Sequence, residues 1–194
     1  MVKISRLIEG HKEFHQKYFV EQPDVYKKLL EDGQSPKTLV ISCSDSRADP
    51  SIILNTEPGD IFVIRNVANI VPPYEDENIG YHSTSAAIEY AVLHLKIENI
   101  VVLGHSDCGG IKSLIKDQEN DHTFIDNWLY IVEDAKKEAI KHNGNFSDVC
   151  HICEKEAIKK SIKNLREFPF IKENNVELHG WYFNLQTGSL ENIV

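Results

Sequence analysis

The fold of this sequence is decided by the stretch Thr38-Leu39-Val40-Ile41-Ser42-Cys43-Ser44-Asp45-Ser46-Arg47. Its first half is a short, apolar, partly β-branched run, which is typical of a strand buried in a parallel sheet. Its second half turns polar at the point where that strand should end. The same change from apolar to polar follows the runs at residues 61–64 and 100–103. The sequence therefore predicts three buried strands, each with a polar cluster at its carboxyl end.

Helical patterns flank these strands. Apolar residues at helical spacing predict two N-terminal helices within residues 1–31, and a helix over residues 79–95 that joins the second and third strands. A strand–helix–strand crossover joins parallel strands, and it should be right-handed. Further helices are predicted at residues 111–116, about 124–141 and about 150–168, with a final strand at 176–183. We expect an α/β fold with a central, mostly parallel β-sheet flanked by helices, an N-terminal helical arm and a C-terminal edge strand.

Composition limits the classes of protein and partner. The chain has 194 residues, of which 41% are hydrophobic, and this suits one domain over residues 1–194. Its formal charge of −9 disfavours binding to nucleic acid or to an anionic membrane surface. The sequence contains no apolar run long enough to cross a membrane and no signal peptide pattern, so we expect a cytoplasmic protein.

The polar clusters at the strand ends contain possible metal ligands. The carboxyl ends of parallel strands converge at one edge of a sheet, which brings Cys43, His105 and Cys108 near one another. Thiolate and imidazole are ligands that Zn²⁺ prefers, and catalytic zinc sites commonly use three protein ligands with one open position. Each residue alone is weak support, since a lone cysteine is more often a small buried apolar residue. Together they predict a Zn²⁺ site.

The motifs also carry a family resemblance. Cys-Ser-Asp-Ser-Arg at 43–47, Arg-Asn-Val-Ala-Asn at 65–69 and His-Ser-Asp-Cys-Gly-Gly at 105–110 resemble the three signature motifs of β-carbonic anhydrases. The segments at 71–74 and 86–95 are similar to the plant-type branch of that family. The resemblance implies one Zn²⁺ per subunit and the reversible hydration of CO₂ to bicarbonate and a proton, by attack of zinc-bound hydroxide. Residues 34–116 would then form the zinc-site core, and residues 117–194 the C-terminal helices and edge strands.

The resemblance also implies roles for single residues. Asp45 and Arg47 would form a catalytic pair in which Arg47 keeps the carboxylate off the metal. In the alternative, closed state, Asp45 is the fourth zinc ligand. The residues implied for the substrate pocket are Gln34, Phe62, Val67, Tyr90 and Gly109. His94 is a candidate proton shuttle, although a structural histidine would fit the sequence equally well.

Assembly and alternative functions follow from the same resemblance. The amphipathic N-terminal helices imply a homo-oligomer, either a homodimer or a multiple of dimers such as a homotetramer, with the pocket at the dimer interface. One alternative is a carbonyl sulfide or carbon disulfide hydrolase that uses the same zinc site. Another is a non-catalytic, zinc-stabilised binding module with Asp45 as a structural ligand. The sequence assigns no role to Asp107 or to the pair Cys150 and Cys153.

Overall fold

The computed structural model describes residues 3–75, 82–116 and 123–194. The strands within these ranges are β1 (Thr38–Cys43), β2 (Ile61–Asn66), β3 (Asn99–His105), β4 (Glu177–Phe183) and β5 (Leu190–Asn192). The helices are α1 (Ile4–His15), α2 (Pro23–Asp32), α3 (Pro50–Ile53), α4 (Ser83–Leu93), α5 (Gly109–Lys116), α6 (Thr123–Tyr130), α7 (Glu133–Ala139), α8 (Phe146–Leu165) and α9 (Pro169–Glu173). A π-helical segment, Gln16–Glu21, links the first two helices, and a 3₁₀ turn, Val67–Asn69, follows β2.

The five strands form one sheet in the order β2-β1-β3-β4-β5. The first four are parallel, and β5 runs antiparallel to β4 at the edge. In this register Cys43 lies opposite Asn66, while Ser42 lies opposite Leu103. The carboxyl ends of β1, β2 and β3 therefore meet at one edge, and the predicted α/β fold is confirmed.

Helix α8 packs closely on the sheet. Its Ile158 is fully buried and belongs to the main apolar core, which also contains residues of β1, β3 and α4. A Cβ atom at Gly104 would lie 2.7 Å from Ile158 Cδ1, and one at Gly180 would lie 2.8 Å from Ile158 Cγ2. Glycine on two neighbouring strands thus provides the space that the isoleucine fills.

Two predicted helices differ from the observed ones. The helix predicted at about 124–141 is divided into α6 and α7, because Val132 leaves helical geometry with φ −109° and ψ 22°. The helix predicted near 150 already begins at Phe146, after a capping box made by Asn145 and Asp148. Residues 79–81 of the predicted crossover helix lie outside the described residues, and α4 begins at Ser83.

The N-terminal arm is helical, as predicted, but it buries none of its residues in this chain. No residue of α1, α2 or the segment between them is buried. The arm contacts the body through Tyr18, whose hydroxyl donates to Glu57 Oε2 at 2.6 Å, and through Leu29 beside Gly59. Within the described ranges, no helix is both long and apolar enough to cross a membrane.

Candidate metal centre

Three possible metal ligands meet at the carboxyl edge of the sheet. Cys43 ends β1, His105 ends β3, and Cys108 precedes α5. The candidate ligand atoms of the three residues lie within 4.8 Å of one another. Each residue is at most 5% exposed. Two thiols and an imidazole in this arrangement match the donor set that Zn²⁺ prefers.

The orientation of His105 supports metal binding. Its Nδ1 lies 2.8 Å from the carbonyl oxygen of Ser106, and Nδ1 must carry the hydrogen to make this bond. That tautomer leaves a lone pair on Nε2, which is buried and has no hydrogen-bond partner among the described residues. A buried, unpaired nitrogen is costly unless something binds it, and a metal ion would do so.

The two thiols influence each other strongly. The neighbouring Cys108 thiol hydrogen-bonds to the Cys43 thiolate and lowers the pKa of Cys43 to about 4. The same interaction, together with burial, raises the pKa of Cys108. Two thiolates this close repel each other, so ionisation of one opposes ionisation of the other. A cation with two positive charges would allow both sulfurs to be thiolates, with release of a proton.

Asp45 and Arg47 form a bidentate ion pair beside these ligands. Arg47 Nε donates to Asp45 Oδ1 at 3.0 Å, and Nη2 donates to Oδ2 at 2.8 Å. The backbone amide of Arg47 also donates to Oδ1, at 2.9 Å. These hydrogen bonds hold the pKa of the Asp45 carboxyl well below its usual range. The carboxylate is consequently ionised and fixed in direction.

Arg65 holds the backbone of this loop, a role that the sequence did not reveal. Its Nε donates to the carbonyl oxygen of Cys43 at 3.0 Å, and its Nη2 donates to that of Asp45 at 2.7 Å. Its Nη1 contacts Asp49 Oδ2 at 2.7 Å. One guanidinium group from β2 thus binds two carbonyl oxygens and one carboxylate of the segment that contains Cys43 and Asp45. The Arg-Asn-Val-Ala-Asn motif was the available signal, but the motif alone does not give the contacts.

Glu154 of α8 is a second residue that sequence reasoning missed. Its side chain is 3% exposed, and Oε1 accepts from the backbone amide of Cys108 at 2.9 Å. Oε2 accepts from the hydroxyl of Tyr182 at 2.7 Å. Burial raises the pKa of Glu154, although both hydrogen bonds act in the opposite direction. The carboxyl group fixes the backbone that presents the Cys108 sulfur.

The residues implied for the substrate pocket do not all lie together. Val67 follows β2 directly and, with Asn66, lines a cavity of about 520 Å³. Trp128 also lines this cavity, and its Nε1 donates to the carbonyl oxygen of Val67 at 2.8 Å. The exposed Gly109 begins α5, and a Cβ atom there would meet nothing within 4 Å.

The other implied pocket residues lie away from the ligands within this chain. Phe62 is four residues upstream of the β2 end, roughly 13 Å along the strand. Its ring centroid is 6.0 Å from that of Tyr90, whose ring stacks on His94 at 5.1 Å. Gln34 is exposed and precedes β1, whereas Cys43 ends it. One chain therefore does not assemble the whole implied pocket.

Cys150 and Cys153 are buried free thiols on α8. Burial raises the pKa of both. In the described part of the chain, Cys43, His105 and Cys108 make the one group of three or more possible ligands that is close enough to hold an ion. The structure thus offers no ligand set for a second metal at Cys150 and Cys153 within those residues.

A parallel α/β sheet with a buried Cys₂His donor set at its carboxyl edge defines a zinc-site α/β protein. The sequence profile described as carbonic anhydrase matches residues 38–190. The chain belongs to the carbonic anhydrase family, and its relatives place it in the β class.

Several relatives support this assignment. Beta carbonic anhydrase 5, chloroplastic, of Arabidopsis thaliana is 43% identical over 174 residues, which are 86% of this chain and 56% of that protein. The chain thus spans little more than half the length of this curated relative. The structure of the β-carbonic anhydrase CcaA is 35% identical, with a TM-score of 0.88 over 97% of this chain and 86% of that one. A tetrameric β-carbonic anhydrase of Sordaria macrospora is 32% identical, with a TM-score of 0.83 over 97% and 95% of the two chains.

The expected cytoplasmic location is wrong by this comparison. The Arabidopsis relative, which shares 43% of its aligned residues with this chain, is named as chloroplastic. The cellular compartment of a protein is determined by short targeting sequences rather than by its folded core. Composition and hydropathy, on which the expectation rested, therefore do not determine the compartment of such a protein.

Proposed function

We propose that this protein catalyses the reversible hydration of CO₂ to bicarbonate and a proton, with one Zn²⁺ per subunit held by Cys43, His105 and Cys108. When bound, zinc supplies a hydroxide near neutral pH that can add to the carbon of CO₂. The observation that carries the proposal is the engagement of the Asp45 carboxylate by Arg47 beside the ligands. A carboxylate held in this way would be kept from serving as a fourth metal ligand.

Asp45 would orient the attacking group. Its Oδ1 already accepts two hydrogen bonds from Arg47, while Oδ2 accepts one. Each carboxylate oxygen has about two acceptor sites, so Oδ2 has one left. The free acceptor site on Oδ2 would accept a hydrogen bond from the attacking nucleophile and so orient it. The same geometry disfavours a purely structural zinc site with Asp45 as the fourth ligand.

The substrate would be bound by backbone and apolar groups. Val67 would form part of the apolar wall, since it lines the cavity next to β2. The amide at Gly109, at the start of α5, would bind the anionic product as helix N-termini commonly do. The open space at Gly109 supports this role.

We further propose that the site is completed in a homodimer or a multiple of dimers. Gln34, Phe62 and Tyr90 are separated from the zinc ligands within one chain, so a partner subunit would have to bring them to the pocket. The unburied apolar residues of the N-terminal arm supply a surface for that contact. His94, exposed and stacked on Tyr90, would carry protons from such a pocket to buffer.

Stopped-flow CO₂ hydration by the zinc-loaded protein tests the proposal. Because two thiolates offset the charge of the ion more than imidazoles would, the rate should rise as pH increases above neutral. Carbonyl sulfide and carbon disulfide are assayed on the same preparation. Zinc-loaded protein that hydrolyses these compounds but does not hydrate CO₂ would contradict the proposal, as would protein that is inactive on all three.

Arg47→Ala tests the role of the ion pair. Without the guanidinium, Asp45 is free to turn toward the metal, so kcat/KM for CO₂ should fall by roughly 10- to 100-fold. Zinc content, measured by atomic absorption, should stay at one per chain because none of the three ligands is changed. Full turnover in this variant would remove the pair from the mechanism.

A further inference from the structure

Asp107 lies between two of the proposed ligands in the sequence and contacts the Nη1–Nη2 edge of Arg47, next to the Nε–Nη2 edge that Asp45 contacts. Arg47 Nη1 donates to Asp107 Oδ2 at 3.0 Å, and Nη2 donates to the Asp107 carbonyl oxygen at 3.2 Å. The residue has a φ of 64°, in the left-handed region that aspartate tolerates better than most residues. This backbone geometry brings both its carbonyl and its carboxylate to the guanidinium.

The two aspartates do not compete for Arg47. Asp45 accepts from Nε and Nη2, whereas the Asp107 carboxylate accepts from Nη1. Arginine has five N–H groups, so it can satisfy both partners at once. The Arg47 side chain is 50% exposed and would otherwise sample several rotamers. Because Asp107 also binds the guanidinium group, the Nε–Nη2 edge of Arg47 stays directed at Asp45.

Lys112 of α5 completes a chain of alternating charges. Its ammonium contacts Asp107 Oδ1, the oxygen that Arg47 does not use. Glu154 of α8 acts on Lys112 only through longer-range electrostatic attraction. Asp107 is thereby neutralised from both sides and does not add a free negative charge beside the ligands.

We propose that Asp107 is a positioning residue, which holds Arg47 against Asp45 and so keeps the Asp45 carboxylate off the metal. The inference rests on the proposed function only for the role of the Asp45 and Arg47 pair. It assigns a role to a residue that does not touch substrate or metal.

The test measures how open the fourth metal position is, without using turnover. Thiocyanate binds an open position, and its affinity for the cobalt-substituted protein is read from the visible absorption of the metal near neutral pH. If some of the molecules are in the closed state, the apparent Kd for thiocyanate equals the intrinsic Kd divided by the fraction of open molecules. Asp107→Asn keeps the shape of the side chain and tolerates the same φ. It should weaken thiocyanate about two- to fivefold, the range expected for one exposed ion pair.

The sign of the change separates positioning from a direct charge effect. Removing a negative charge near the metal should by itself tighten the binding of an anion. Glu98→Gln is the matched control, because Glu98 forms an exposed ion pair with Lys37 at 2.8 Å far from the ligands. It should leave the thiocyanate affinity unchanged, and a fall in Asp107→Asn melting temperature without weaker thiocyanate binding would overturn the inference.

A double-mutant cycle completes the test. Arg47→Ala should weaken thiocyanate on its own, and Asp107→Asn should cause no further weakening in that background, because its effect passes through Arg47. Equal weakening in both backgrounds would overturn the positioning role. If Arg47→Ala weakens thiocyanate but Asp107→Asn does not, the positioning inference alone fails. If Arg47→Ala also has no effect, the pair itself fails, and with it this part of the proposed function.

Discussion

At the scale of single residues, the buried carboxyl of Glu154 determines how Cys108 is presented. An ionisable group that is 3% exposed is costly to bury unless its oxygens are hydrogen-bonded. Both oxygens are, to the Cys108 amide and to the Tyr182 hydroxyl. Outer hydrogen bonds of this kind orient the ligands of metal sites and are costly to lose.

Glu154→Ala should weaken zinc binding by roughly 10- to 100-fold, because it leaves the Cys108 amide without its acceptor. Tyr182→Phe is the matched variant: it removes one hydroxyl and leaves the bond between Glu154 and Cys108 in place, so its effect should be smaller. Competition with a chromogenic chelator measures both affinities. Wild-type zinc affinity in Glu154→Ala would show that the amide needs no such support.

The sequence predicted those site residues that lie within short contiguous motifs. Cys43 and His105 end recognisable strands, Cys108 follows three residues after His105, and the donor chemistry of all three is specific. Glu154 was missed because it is 46 positions from Cys108, and a helical glutamate looks like any exposed charge. The sequence assigns no role to Asp107, because its contact with Lys112 forms only when the loop and α5 are folded.

At the scale of elements, the contact between α8 and the sheet depends on two glycines. Gly104 of β3 and Gly180 of β4 both face Ile158, which is fully buried. Interiors this dense do not absorb an added methyl group without movement. Helix α8 also carries Glu154, so its position affects the ligand Cys108.

Gly104→Ala should lower the free energy of unfolding by about 1–3 kcal/mol, as overpacking of a core typically does. The added Cβ would lie 2.7 Å from Ile158 Cδ1. Gly109→Ala is the control, because its Cβ would meet nothing within 4 Å. Urea denaturation of both variants gives the comparison. Equal stability of the two would mean that α8 can shift without cost.

Element types were easier to predict than element ends. Strands β1, β2 and β3 were visible because each is a short apolar run followed by polar residues. The break between α6 and α7 was not, since Ile131 and Val132 continue the apolar pattern through it. Val132, which lies at the break, is fully buried.

At the scale of the whole molecule, the proposed partner subunit is based on the arm and on the separated pocket residues. The arm exposes most of its large apolar side chains. They are Ile4, Leu7, Ile8, Phe19, Val20 and Leu30. Large apolar patches are rare on monomeric proteins, so side chains exposed in this number on one arm favour a contact with another surface. The sequence predicted the helices and their amphipathic pattern, but a single chain does not contain the surface they would cover.

Replacing Leu7 and Ile8 together by serine should shift the protein toward monomer and lower CO₂ hydration, because the pocket would lose the residues that a partner supplies. Ile140→Ser is the control, since Ile140 is 57% exposed and lies outside the arm. Light scattering gives the mass and stopped-flow assays give the rate for each variant. A monomeric double variant with full activity would contradict the assembly proposed here.

The pairing of β1 with β3 has a consequence for the time course of folding. Cys43 comes from one strand and His105 from the other, and they are 62 positions apart in the chain. Parallel pairing of distant segments is slow to form, because the intervening loop must close first. The complete set of three ligands therefore exists only after that pairing. A metal bound to this set would therefore mainly slow unfolding and would have little effect on the rate of folding, because the set forms after the folding transition state.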